Sequence, residues 1–330
     1  MPKSKSTAKA TAKPAFTPNP EQLALLPDIS GNSINGLGET AVRRPTPIYW
    51  QDSDKIAHGK LQDWFYAHGR TPKATKHREG TMKLLQEPLP PVAPGPTDKT
   101  PQEWTAAAKE VALASEADRA GVAHIDPNWV YEGAEVNYPW AIVVGVSMEY
   151  GPLSQAPSTT TQVEVHKQYA RGARAAVALA RWIREQGFDA KAHGGPRAGP
   201  MLLLPAAIAA GFGELGKHGS MINRQYGSLF RLAYVMTDMP LMADSPDDFG
   251  ADGFCTNCRV CTRACPVDAI HEEKQMVRGH KKWFVNFDKC VLYFNENNGC
   301  AICIAACPWS KIGTAPRLAE KLIRRRMRNP

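Results

Sequence analysis

The chain has 330 residues, 43% hydrophobic and 22% charged, with 27 Pro, 26 Gly and 8 Cys. At roughly 100–200 residues per domain this is room for about two domains with a real core, which excludes wholesale disorder, collagen and small disulfide-stapled scaffolds. The net charge of +8 gathers at the ends, in Lys3, Lys5, Lys9, Lys13 and the run Arg324-Arg325-Arg326, and reads as solvated termini rather than a nucleic-acid surface.

In chain order, the opening MPKSKSTAKATAKPAF is basic and has no apolar segment behind it. Arg43-Arg44 runs into Pro45. Neither a secretory nor a twin-arginine signal is expected, and the reading is a disordered basic tail over 1–20 and a cytoplasmic location. An N-terminal region over 21–101 follows. Its first part carries the aromatic anchors Trp50, Trp64, Phe65 and Tyr66, and its last part, Glu87–Pro101, holds six prolines and predicts an extended strap.

A core over 102–250 comes next. Glu103 to about Gly121 predicts a helix from its Ala, Glu and Lys content, and Pro139–Met148 a buried strand. Gln162–Gln186 predicts a long helix, with a Ser158-Thr159-Thr160 cap region before it and Gly187 at its end. Leu202–Ala210 is expected to be helical beyond Pro205, and Arg231–Met236 to be a strand. Residues 251–312 then form a cysteine-rich module, and 313–330 a tail with a basic helix over Arg317–Met327. No apolar run reaches the roughly 18 residues of a membrane span.

All eight cysteines lie between 255 and 307. Cys255, Cys258, Cys261 and Cys265 form C-x2-C-x2-C-x3-C before Pro266. Cys300, Cys303 and Cys307 form C-x2-C-x3-C before Pro308, with Cys290 upstream. This is the spacing of a protein with two [4Fe–4S] clusters, in which a tight loop converges three thiolates and the fourth reaches the neighbouring cluster. The expected sets are Cys255, Cys258, Cys261 and Cys307 for one cluster, and Cys265, Cys290, Cys300 and Cys303 for the other. Structural zinc and disulfides are the competing readings, and two interlocked sets of four that use every cysteine argue against them. Such a module needs only about 60 residues and conducts electrons, so the chemistry belongs to the remainder.

The stretch GFGELGKHGSMINRQYGSLFRLAYVMTDMPLMADSPDDFGADGFCTNCRVCTRACPVDAI, followed by FDKCVLYFNENNGCAICIAACPWSK, resembles the catalytic subunit of corrinoid-dependent reductive dehalogenases. The resemblance covers roughly residues 120–312. It implies an α+β fold, with a nitroreductase-like cobalamin-binding core carrying an inserted two-[4Fe–4S] bacterial ferredoxin-like domain. It also implies base-off cobalamin as cofactor, in keeping with the missing D-x-H-x-x-G motif, and an organohalide, by family precedent a haloaromatic, as substrate. By motif, the proton-donating tyrosine matches Tyr169 in HKQYARGARAAVALARWIREQG, and its cationic partner matches Arg231 in GSLFRLAYV. Lys217 and His218, in the Gly-rich segment, and His193, in the loop before Gly194-Gly195, are the expected cofactor-binding positions.

The pairing has a chemical reason. Cleaving a carbon–halogen bond with two electrons leaves carbanion character that needs a proton. A phenol with pKa near ~10 stays protonated at neutral pH yet can donate to carbon, and a guanidinium, charged even when buried, favours the phenolate left behind. No G-x-G-x-x-G follows a predicted strand, so electrons are expected from a separate ferredoxin, flavodoxin or reductase. Two other classes stay open: a related corrinoid iron–sulfur enzyme such as an epoxyqueuosine (tRNA) reductase, and a non-catalytic dicluster electron carrier. The first is disfavoured because Lys167-Gln168-Tyr169 offers no carboxylic acid.

Overall fold

The computed structural model describes residues 15–96, 98–197 and 199–328. Its centre is a four-stranded sheet, antiparallel throughout, in the order Arg119–His124, Trp140–Ser147, Phe230–Thr237, Ala190–His193. The two central strands are buried along nearly their whole length. Their side chains therefore alternate between two covered faces rather than between core and solvent.

On one face Ile142, Val144, Ala233 and Val235 pack against Ala175, Ala176, Leu179, Ala180 and Ile183 of the long helix Thr159–Glu185. On the other, Val143, Tyr234 and Met236 meet Met201, Ala206 and Phe212. The alanines of the long helix recur at helical spacing and keep it close to the sheet. Ser158 caps it, its Oγ accepting from the Thr161 N–H at 3.1 Å. Gly187, at φ +90°, follows its end in the left-handed conformation that glycine adopts freely.

One expected element divides. The helix covers Pro101–Ala114, opened by a Thr100–Glu103 capping box, and Arg119–His124 is an edge strand. The Ala, Glu and Lys content of the stretch reads as helical up to about Gly121, but pairing with Trp140–Gly145 overrides it from Arg119 on. Gly121 shows the constraint directly, since a Cβ there would run into the carbonyl of Ala210.

The N-terminal region is a clamp on the cysteine-rich end. Gln22 donates to the Leu292 carbonyl at 3.2 Å and accepts from Asn295 at 2.8 Å. Tyr49 donates to Asn295 at 2.9 Å. Order begins earlier than the expected tail boundary: the Phe16 ring meets Tyr293 at 4.9 Å, and the Asn19 N–H donates to Glu296. The rest of the expected tail, residues 1–14, lies outside the described residues. The described residues of the proline strap before Pro101 have no helix or strand, and the strap lies on the core, with Leu89 packed against it and the Ala93 N–H bonded to the Arg184 carbonyl at 2.8 Å.

Helices Ala251–Asn257, Val260–Ala264, Phe287–Glu296 and Ile302–Ala306 carry the cysteines or border them. The terminal helix Thr314–Arg328 docks Ala315 and Ala319 beside Phe249 and Trp309. Among the described residues no helix is long and apolar enough to cross a membrane.

Candidate active site and iron–sulfur ligands

None of the eight cysteines is in a disulfide. Burial and neighbouring sulfurs act together on several of them. Burial pushes the Cys255 thiol up to about 12, the Lys217 N–H opposes the shift, and Cys307, Cys261 and Cys258 add to it. Burial likewise raises Cys290 to about 12, with Cys300 and Cys265 as its charged neighbours. Cys303 is raised well above the ordinary thiol value, by burial and then by the sulfurs around it, first Cys300 and Cys290. Crowded buried thiols of this kind become thiolates only when cations sit among them, which is what an iron cluster provides. Among the described residues no three His, Cys, Asp or Glu side chains converge as a single tetrahedral ion requires.

Two of the predicted cofactor residues stand beside the first cysteine set. Lys217 is buried, its Nζ has no hydrogen-bond partner, and it lies 4.8 Å from the Trp283 ring. It is near enough to lower the Cys261 thiol against the effect of burial. A buried ammonium without a partner is costly; an anionic thiolate cluster beside it is the group that fits. His218, held neutral to about 4 by burial, contacts Ser228 Oγ at 2.9 Å, and Ser228 donates to the Cys307 sulfur at 3.7 Å. Gly227, at φ +60°, sets this turn where any Cβ would strike the Trp309 carbonyl.

Tyr169 and Arg231 come together from different elements. Residues 231, 233 and 235 share the sheet face turned towards the long helix, whose Tyr169 lies one turn beyond His166. The Arg231 Cζ stands 5.4 Å from the centre of the Tyr169 ring. Its Nη1 reaches the Phe230 carbonyl at 3.4 Å, and its buried Nε has no acceptor. Both side chains line a cavity of about 220 Å³ together with Trp50, Arg197, Met221 and Phe230. Typical ligand pockets run to roughly 300–1,000 Å³, so this one suits a small organic molecule.

His193 stacks on Tyr234, ring centres 4.9 Å apart and planes 19° from parallel, and burial holds it neutral to about 4. Its Nε2 and the Arg231 Nε are buried donors or donor-capable atoms without partners. They match the chemistry of a corrin, whose rim carries amide carbonyls and amide N–H groups.

Three residues near the cavity escape sequence reasoning, Arg70, Arg78 and His166, and they gather around Tyr66, which the sequence marks only as an aromatic anchor. The Tyr66 ring lies 6.1 Å from Trp50, and the Arg70 and Arg78 guanidiniums lie 4.2 and 4.1 Å from the Tyr66 ring centre. His166 is 6.3 Å from Tyr169, and the helical i, i+3 spacing to a predicted tyrosine is the one signal that could have found it. The buried carboxylate of Glu164 is engaged elsewhere, accepting from the Glu149 N–H at 2.9 Å and from Gln168 at 2.8 Å.

Comparison with known proteins follows this geometry. Residues 254–311, which include all eight cysteines, match the 4Fe-4S dicluster domain family. Over 209 residues the chain is 32% identical to a tetrachloroethene reductive dehalogenase of Dehalobacter restrictus, covering 59% of this chain and 37% of that protein. A segment of 129 residues is 31% identical to an epoxyqueuosine reductase of Cyclobacterium marinum, covering 34% of this chain and 38% of the relative. Among solved structures, the catabolic reductive dehalogenase NpRdhA, in complex with 3-bromo-4-hydroxybenzoic acid, superposes with a TM-score of 0.73 at 25% identity. That match covers 88% of this chain and 46% of NpRdhA. The chain thus spans less than half the length of each of these proteins. The dicluster match and the dehalogenase relatives imply iron–sulfur clusters and a corrinoid as cofactors. By sequence over 209 residues and by fold over most of its length, the chain is similar to reductive dehalogenases.

Proposed function

We propose that the chain is an oxidoreductase that removes halide reductively from a small organohalide, with Tyr169 as proton donor and Arg231 as its electrostatic partner. The observation that carries this reading is the placement of the Arg231 guanidinium 5.4 Å from the Tyr169 ring at the wall of a small cavity. The balance is R–X + 2 e⁻ + H⁺ → R–H + X⁻. When bound, the corrinoid supplies the low-potential cobalt at which the carbon–halogen bond is cleaved. Cys255, Cys258, Cys261 and Cys307 would hold one cluster and Cys265, Cys290, Cys300 and Cys303 the other, and the pair would relay single electrons supplied by a partner protein such as a ferredoxin, a flavodoxin or a reductase. A corrinoid bound base-off would rest against His193 Nε2 and Arg231 Nε, buried polar atoms without partners.

The chain's own residues then do three things. Trp50, Met221 and Phe230 give the cavity an apolar wall, which favours an organic substrate over water. Tyr169 Oη delivers the proton to carbon as the bond to halogen breaks. Arg231 stabilises the phenolate left behind, and a guanidinium suits that role because it stays charged when buried. A haloaromatic fits the aromatic lining, and NpRdhA is the structural neighbour solved with one.

The test is halide release by protein loaded with corrinoid and iron. General acid catalysis contributes about 10²–10⁴-fold, so Tyr169→Phe should lose turnover by that factor with unchanged iron and corrinoid content. Arg231→Gln should lose about 10- to 100-fold, because the tyrosine proton remains and only its stabilising charge goes. Full activity in Tyr169→Phe would remove the tyrosine from the mechanism. Absence of halide from every haloarene and haloalkene in a panel would remove the dehalogenase reading itself.

A further inference from the structure

We propose that the substrate carries an anionic group, a carboxylate or phenolate, and that Arg70 and Arg78 form the clamp that holds it. This rests on the dehalogenase reading for the halogen, but its own support is a separate part of the molecule.

Arg70 sits in the short turn between helices Gly59–His68 and Pro72–Gln86. The turn is pinned from the long helix. The Gln162 side chain accepts from the Thr71 N–H at 2.8 Å and donates to the Gly69 carbonyl. Gln162 is itself buried, and Arg70 is held between its two contacts. Arg78 lies two turns further on, and Thr81, one turn beyond it, is buried against Gly195 at the cavity wall. Both guanidiniums rest on the Tyr66 ring, and that ring abuts Trp50, which lines the same cavity as Tyr169 and Arg231.

This cluster is short of acceptors. Arg70 Nε and Nη1, Arg78 Nε and Arg231 Nε are all buried without a partner, and Arg70 Nη2 reaches only the Tyr66 carbonyl, at 3.2 Å. Burial, and then repulsion from Arg78, pull the Arg70 guanidinium down to about 10. The carboxylate that Arg70 feels, that of Glu79, acts on it more weakly than Arg78 and Tyr66 do. His166 is packed among the three arginines, and burial followed by their charge holds it neutral to about 4. Cations buried together without counter-charge are destabilising. An oxyanion accepting from two guanidinium forks reverses that cost, and paired planar donors are the arrangement that recognises carboxylates.

An oxyanion could arrive on the substrate or as the phosphodiester of the corrinoid's nucleotide arm, and the experiment separates the two. Binding of halogen-free benzoate and of neutral benzamide to the loaded protein is measured by calorimetry, for wild type, Arg70→Gln, Arg78→Gln and the charge-keeping Arg70→Lys. Turnover of 3-bromobenzoate and 3-bromobenzamide is measured alongside, and corrinoid content is read by absorbance after loading with cobalamin or with cobinamide, which lacks the phosphodiester.

The expected result is benzoate bound roughly 10- to 100-fold more tightly than benzamide by wild type. Each Gln variant should lose that preference with benzamide binding unchanged, and Arg70→Lys should keep part of it. KM for bromobenzoate should rise with kcat little changed. Equal affinity for the two probes in wild type overturns the proposal. So does a Gln variant that loses cobalamin but retains cobinamide, which assigns the arginines to the corrinoid. Because the probes carry no halogen, a protein that binds benzoate selectively yet releases no bromide refutes the activity while leaving the anion site standing. Bromide release without any preference for the anion does the reverse.

Discussion

The cysteine-rich end and the tyrosine cavity assemble their chemistry in different ways. At the first, all eight cysteines lie in the stretch between Cys255 and Cys307, on or beside short helices. At the second, Trp50, Tyr169, Arg197 and Arg231 come from four separated segments, and the sheet register and the long helix decide where they meet. The first design is local and tolerates drift elsewhere in the chain. The second depends on packing between distant elements, so a small displacement of the long helix costs activity without unfolding anything. The two are nevertheless joined: Gly227 and Ser228 lie just before the strand that carries Arg231, and Ser228 donates to Cys307.

That contrast can be tested at several scales. The largest effect is expected at the local site. Cys303→Ala removes one sulfur of the second set, and about half the iron and all turnover should go with it, because each cubane needs four thiolates. Retained iron in that variant, measured by metal analysis after anaerobic reconstitution, would break the assignment of the set. Next comes the loss of about 10²–10⁴-fold at Tyr169→Phe, which should leave iron content untouched and so separate the two regions cleanly.

Lys217→Met is a smaller perturbation at the boundary between them. The buried ammonium beside the first cysteine set favours the more negative, reduced state of a cluster there. Its removal should move that cluster's midpoint potential to a more negative value in an EPR-monitored titration, with iron content unchanged. A potential that stays put would show the lysine to be structural.

The smallest effect concerns pH. His193 is held neutral to about 4 by burial, and secondarily by Lys191, against an ordinary histidine near 6.5. The unfolded chain therefore binds the proton that the folded chain refuses. The stability this contributes is present above about 6.5 and is lost as pH falls from there towards about 4, by up to roughly 3 kcal/mol. Denaturant melts across that window, compared with His193→Phe, should show less acid sensitivity in the variant. Equal slopes would show that His193 titrates normally.

Legibility in the sequence followed the range of the interactions. Cysteine spacing, the Ser158 cap, Gly187 and the alanine periodicity between them all act within a few residues, and the structure has each where local chemistry puts it. Arg119–Gly121 read as the end of a helix because Ala, Glu and Lys content says nothing about a strand that exists through pairing with Val143–Gly145. The residues 15–20 read as tail because Phe16 finds its partner, Tyr293, far along the chain. Arg70 and Arg78 look like ordinary charges in a polar stretch. They become a cluster only when Gln162 pins the turn and Tyr66 receives both guanidiniums.

What the sequence by itself determined is the family resemblance and the cysteine spacing, from which the expected sulfur sets and the candidate pair Tyr169 and Arg231 follow. A motif keeps its residue types and spacings whether or not the chain is folded. Only the tertiary structure decided that Arg231 faces Tyr169, that Lys217 and His218 turn towards the cysteines, and that unpaired arginines gather beside the cavity. Burial and the absence of a partner are properties of what surrounds a side chain, and those surroundings are made by packing segments far apart in the chain.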